Sequence, residues 1–203
     1  MIPLRERNKQ RNRENILAAA FTLFEAQGYD QTTMDMIAEK AEVSRATLFN
    51  YFPAKSSLLL VFTQQILQTQ IVPRVMDYLP TAPTVFDALR FFFMSIYEQM
   101  LTAHNLGHAL KQEVFLQPTP QPIPPEVDDA SFVNLLRTML ADGAAKGDLH
   151  TAIPLDKQAR YIAALYGSLF YGLVFPLAAE DYQREIDTLL VFISDGLKIK
   201  APK

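Results

Sequence analysis

Thr32-Thr33-Met34-Asp35-Met36-Ile37-Ala38-Glu39-Lys40-Ala41-Glu42-Val43-Ser44-Arg45-Ala46-Thr47-Leu48-Phe49-Asn50-Tyr51-Phe52 spells two short helices joined by a tight turn. Met34, Ile37, Ala38 and Ala41 fall at i, i+3, i+4 and i+7, one face of a helix. Thr32 or Thr33 can cap its start, and Asp35, three residues after Thr32, fits a capping box. Ser44 can cap the second helix, in which Leu48 and Phe52 lie one turn apart. The turn between them is about three residues long, the spacing of a helix-turn-helix. Val43 is its apolar peg.

The other face of the second helix carries Arg45, Thr47, Phe49, Asn50 and Tyr51. None is needed beside Leu48 and Phe52 for a core. A guanidinium fork, two small hydrogen-bonding groups and two aromatic rings suit base edges and phosphates. Pro53 stops the helix, because the residue before a proline is pushed out of the α region. Lys55 opens the next one.

From Thr33 to Leu58 the chain resembles the DNA-binding motif of the TetR family of bacterial transcriptional regulators. The residues that carry the likeness are Thr33, Ile37, Ala38, Ala41, Val43, Ser44, Thr47, Leu48, Phe49, Tyr51, Phe52, Lys55 and Leu58. Two positions depart from the pattern. Glu42 stands where the family often has glycine; if that position is left-handed, it carries strain of roughly 1 kcal/mol. Phe49 stands where the family often has tyrosine, which removes a hydroxyl and bears on the operator sequence. The resemblance implies base contacts from Arg45, Thr47, Phe49 and Asn50. It implies phosphate contacts from Thr33, Ser44, Tyr51 and Lys55, with Arg11 and Arg13 joining them.

Net charge is −3 over 203 residues, which taken alone argues against a nucleic-acid partner. The distribution argues otherwise. Residues 1–55 hold eight Lys/Arg and seven Asp/Glu, and the remainder eleven and fifteen, giving +1 and −4. Arg5, Arg7, Lys9, Arg11 and Arg13 cluster near the start. Such an arm is either a solvated tail or a phosphate-binding one. Cysteine is absent, which excludes disulfides and thiolate metal sites and suits a reducing cytoplasm. No run of 18 apolar residues free of charge occurs, so no membrane span is expected.

The remaining chain reads as helices. They are expected at about 8–27, 54–72, 83–104, 106–116, 128–146, 155–175 and 181–198, with a linker punctuated by Pro73, Pro80 and Pro83 and a proline-rich loop at 117–125. No alternating strand pattern of convincing length appears. The expected fold is all-α with about nine helices. Residues 1–55 form a helix-turn-helix domain, a helix over about 54–72 connects, and 56–203 form a second helical domain.

Chemistry-bearing constellations are sparse. His104 and His108 stand at i, i+4 but lack the acidic companions of a metal site, so no metal or cofactor is expected. Ser168 lacks a nucleophile elbow, and no glycine-rich phosphate loop is present. No enzyme is expected. Phe92, Phe93, Tyr97, Phe115, Phe170 and Tyr171 fit either an ordinary core or the wall of an apolar pocket. Near them in sequence only Arg90, Lys111 and Arg137 could pair with a carboxylate. Ala164, Gly167, Ser168 and Gly172 form a stripe of small residues that lets a second helix approach closely, in the same chain or another.

The resemblance implies a small-molecule effector in the second domain. It also implies a homodimer built on the last two helices, through Ala164, Gly167, Ser168 and Gly172 with Ile186, Leu190 and Ile193. The expected protein is a cytoplasmic, homodimeric regulator of a palindromic double-stranded DNA operator. It acts as a repressor released by an apolar effector, or alternatively as an activator or a regulator controlled by a protein partner.

Overall fold

A computed structural model of the chain describes residues 3–102, 106–110, 112–113, 129–149, 153–170 and 181–198. Regular structure among them is helical throughout, with no strand. No described helix is long and apolar enough to cross a membrane.

Helix α1 (Leu4–Gln27) begins four residues before its apolar stripe suggests. Arginine, lysine, glutamate and glutamine are good helix formers, so the basic arm extends the helix outward with no core behind it. Gly28 ends it at φ 82°, its N–H on the Phe24 carbonyl. Next come α2 (Met34–Lys40) and α3 (Arg45–Tyr51), as the periodicity predicts. Helical turns then run on from Lys55 to Thr81: α4 (Lys55–Ile66), a π turn (Leu67–Ile71), α5 (Val72–Tyr78) and a 3-10 turn (Leu79–Thr81). The stretch expected as a linker is therefore helical. Pro73 and Pro80 each sit in the first turn of a new segment, where the missing N–H leaves no bond unmade. The π turn lies just before Pro73 and shifts the hydrogen-bond register there.

Helices α6 (Val85–Thr102), α7 (Leu106–Leu110), α8 (Asp129–Lys146), α9 (Leu155–Phe170) and α10 (Tyr182–Lys198) complete the described structure. The proline-rich stretch 117–125 lies outside the described residues. The chain divides into two compact units. One is Met1–Ile66 with Gln99–Val127, and the other is Leu67–Glu98 with Asp128–Lys203.

In the first unit, Ile16, Ile37, Leu48, Phe52, Leu58 and Leu59 are fully buried. The rings of Phe21 and Phe24 lie 5.0 and 5.6 Å from that of Phe62, which ties α1 to α4. In the second unit, Leu89, Phe92 and Phe93 of α6 are buried, as are Leu136 and Met139 of α8. So are Ile162 and Tyr166 of α9 and Ile186 of α10. Thr84 and Asp87 cap the start of α6 reciprocally, and Asp148 Oδ2 accepts from the Val85 N–H at 2.8 Å. Gly143 of α8 faces the same spot; a Cβ there would lie 2.5 Å from Val85 Cβ.

Candidate functional site

The reading head is built on two caps and one strained turn. Thr33 caps α2 by accepting from the Met36 N–H at 3.2 Å. Thr32 does not cap: it is buried and donates to the Gly28 carbonyl at 2.8 Å, so Asp35 is left without a capping-box partner. Ser44 caps α3 by accepting from the Thr47 N–H at 3.1 Å. Its hydroxyl also bonds that of Thr47 at 2.8 Å. Between the helices, Val43 N–H bonds Ala38 O and Glu42 N–H bonds Glu39 O, the two bonds of a Schellman end. That end needs a left-handed residue, and Glu42 supplies it at φ 55°. No other described residue except glycine has positive φ.

Leu48 and Phe52 bury one side of α3 completely. Arg45, Phe49 and Asn50 stand exposed on the other, with Thr47 and Tyr51 half-buried. Arg45 is held in place: its Nη1 lies 3.1 Å from Asp35 Oδ1, and its Cζ 5.5 Å from the Phe49 ring centroid. Sequence reasoning used Asp35 only as a possible capping acid and missed this pair. The two charges are opposite and ten residues apart, and it is the way α2 and α3 cross at this turn that brings them together.

The residues nominated for phosphates divide into two groups. Thr33, Ser44 and Arg11 are exposed, as are Arg5, Arg7 and Lys9 on the first turns of α1. Lys55 and Arg13 instead brace the head. Lys55 Nζ donates to the carbonyls of Tyr29 and Thr32 at 2.9 Å each and lies 4.0 Å from the Tyr29 ring centroid. Burial lowers its pKa, against the raising effect of Asp30 and Glu113. The Arg13 guanidinium lies 4.6 Å from the Phe52 ring centroid, and burial lowers its pKa too.

In the second unit, Phe92 and Phe93 are both buried. Phe93 stacks on Tyr166 at 4.1 Å, Phe92 lies 5.1 Å from Phe132, and Tyr97 stacks on Tyr182 at 3.9 Å. Tyr182 donates to the Tyr166 hydroxyl, which donates to the Phe93 carbonyl. The nominated wall thus begins as a layer of stacked rings that includes Phe132, Tyr166 and Tyr182. Phe115 and Tyr171 lie outside the described residues, and of Phe170 only its place in α9 is described. Arg90 makes two bonds to Asp187, at 2.6 and 3.3 Å, and that hydrogen bond raises its pKa. Arg137 is exposed, and Lys111 lies outside the described residues. A shallow hollow of about 370 Å³ opens beside Arg90, Phe91, Met94 and Gln183, and Phe92, Phe93 and Tyr97 are not among its lining residues.

The small-residue stripe of α9 faces outward. Ala164 is exposed, Gly167 and Ser168 are half-exposed, and a Cβ added at Gly167 meets nothing within 4 Å. Gly172 lies outside the described residues. Ile186, Leu190 and Ile193, nominated with them, are buried within the protomer and belong to its core. The exposed apolar residues of the two helices are Tyr161 (59%), Leu165 (39%), Val191 (61%) and Phe192 (67%). Of the two histidines weighed for a metal, His108 is exposed and His104 lies outside the described residues.

Residues 16–61 match the family model of the bacterial regulatory proteins of the tetR family. The HTH-type transcriptional regulator TcmR of Streptomyces glaucescens is 42% identical over 57 residues, 28% of this chain. That match spans only 25% of TcmR. The HTH-type transcriptional regulator YdeS of Bacillus subtilis is 25% identical over 167 residues, covering 78% of this chain and 76% of YdeS. Among solved structures, the FadR repressor of Thermus thermophilus, in complex with lauroyl-CoA, superposes with a TM-score of 0.75. It is 27% identical, over 94% of this chain and 99% of that one.

Proposed function

We propose that this chain, whose residues 16–61 match the model of the tetR family of bacterial regulatory proteins, is a DNA-binding transcriptional regulator of that family rather than an enzyme, and that it is a cytoplasmic homodimeric repressor, released from a palindromic operator by an effector with a long apolar chain. Residues 1–55 serve as the reading head, α4 connects, and 56–203 carry the effector and dimer functions. The observation that carries the reading is the outward face of α3, where Arg45, Phe49 and Asn50 stand free of the core on a helix whose back is fully buried. With Thr47, these residues read base edges. Thr33, Ser44, Tyr51 and Arg11 bind phosphate, as does the N–H of Lys55 beyond the two it gives to carbonyls. Arg13 supports them from behind Phe52.

Two copies pair through α9 and α10. Tyr161, Leu165, Val191 and Phe192 supply the apolar surface, and Ala164, Gly167 and Ser168 let the helices approach. Exposed apolar patches of this kind mark interaction surfaces, and a twofold axis places two reading heads on two half-sites. The likeness to a repressor holding lauroyl-CoA, over nearly the whole of both chains, favours a fatty acyl thioester as the effector class. The apolar, aromatic α6 suits an acyl chain.

An effector lowers operator affinity only if it binds the two states unequally. The test is a fluorescence-anisotropy titration of a selected operator duplex, with lauroyl-CoA, coenzyme A and laurate added separately. Lauroyl-CoA is expected to weaken operator binding by about 5–150-fold, the usual range of coupling, while coenzyme A alone leaves it unchanged. Strong stabilisation by lauroyl-CoA with no change in operator affinity would contradict release by this class.

A further inference from the structure

Asp35 lies in the first turn of α2, and Arg45 is the first residue of α3. The turn folds them together so that Arg45 Nη1 lies 3.1 Å from Asp35 Oδ1 and 3.2 Å from Oδ2. Their side chains are 67% and 65% exposed. An ion pair so exposed adds little to stability, so folding gives it little reason to exist. The guanidinium is held on a second side by Phe49, one turn along α3. Acid and ring together restrict a side chain that is otherwise free to swing among bases and phosphates.

The carboxylate takes Nη1. It leaves Nε and Nη2, the two donors along the side edge of the fork, for a pair of acceptors. Guanine O6 and N7 form such a pair in the major groove. We propose that Asp35 is a positioning residue for base readout: by holding Nη1 against the Phe49 ring, it presents the Nε–Nη2 edge of Arg45 to guanine and keeps Arg45 off other partners. This rests on the base-reading role of α3 proposed above. The arrangement has a cost in affinity, because a carboxylate at the protein–DNA boundary repels phosphate. Asp35 therefore lowers affinity for all DNA while raising selectivity at one base pair.

The experiment uses the full chain and the variants Asp35→Asn, Asp35→Ala, Arg45→Ala and Asp35→Ala/Arg45→Ala. Each selects duplexes from a randomised pool, and binding to the winning duplex and to unrelated DNA is then measured. The native protein is expected to select guanine at one position of each half-site. Both Asp35 variants should reduce that preference by about tenfold, a typical share of one bidentate contact, while binding unrelated DNA more tightly. Other positions should keep their preferences. Arg45→Ala should abolish the preference, and adding Asp35→Ala to it should change that position no further. Thermal unfolding should be unaltered throughout, since both side chains are exposed. A role for Asp35 through charge or folding alone would move all positions alike, and that result would overturn the inference. So would a native preference in the Asp35 variants, or one that survives Arg45→Ala. A native protein that enriches no motif would overturn base reading by α3 and this inference with it. Failure of acyl-CoA release with the motif intact would touch only the repressor reading.

Discussion

Helices α3 and α10 are both amphipathic, and each is proposed to present one face to something outside the protomer. They differ in how that face is written. On α3 the buried side is Leu48 with Phe52 behind it, and the outer side is Arg45, Phe49 and Asn50. A DNA partner asks for polar and charged groups, so residue type separates the two faces. On α10 the inner side is Ile186, Leu190 and Ile193, and the outer side carries Val191 and Phe192. A protein partner asks for the same residue types as the core, so composition cannot tell seam from interior. Face assignment from sequence therefore works best where the partner's chemistry differs most from that of the protein.

The adjacent pair Phe192 and Ile193 offers the sharpest way to break this contrast. Phe192→Arg places a charge on the proposed seam and leaves the core alone. It should give folded monomers by sedimentation and remove most operator affinity, since one head reads too few bases. Ile193→Ala should do the reverse: a loss of about 2–5 kcal/mol in stability from the cavity, read by denaturant unfolding, with dimers persisting while the chain is folded. A dimer unaffected by Phe192→Arg would move the interface elsewhere. Gly167→Arg sharpens the same point on α9, where the protomer has open space for a side chain.

Smaller effects test the supports of each unit. Gly143→Ala would press a methyl against Val85 at 2.5 Å. Overpacking of this kind should cost about 1–3 kcal/mol, seen as a lower melting temperature. Glu42→Gly should act in the opposite direction and stabilise the head by about 1 kcal/mol by relieving the left-handed strain. A destabilised Glu42→Gly would mean that the glutamate side chain compensates for its backbone.

Much of the fold was legible because it rests on local signals. Thr33 and Ser44 sit where caps belong, Ile37, Ala38 and Ala41 share a face, and the glycine usual in the resemblance raised the left-handed conformation that Glu42 adopts. What was missed depends on tertiary context. Proline read as a break at Pro73 and Pro80, but a proline in a first helical turn is compatible with continuing helix, and only the π turn beside it shows how the register adjusts. Lys55 was nominated for phosphate through the resemblance, and its bracing of the head had no local signal. Its two bonds to the carbonyls of Tyr29 and Thr32 come from residues more than twenty positions earlier, which no local pattern reveals. Phe92 and Phe93 stood open between core and pocket wall in the sequence, and both are buried in the fold, where burial depends on the helices packed around α6.

The most direct test of the central claim, two outward faces with two partners, is a hydroxyl-radical footprint of the full chain and of Phe192→Arg on the selected duplex. The native protein should protect two symmetric patches centred about one helical turn apart. At concentrations that saturate the native site, Phe192→Arg should leave both patches open. A single asymmetric patch from the native protein, or an unchanged double footprint from Phe192→Arg, would contradict the account.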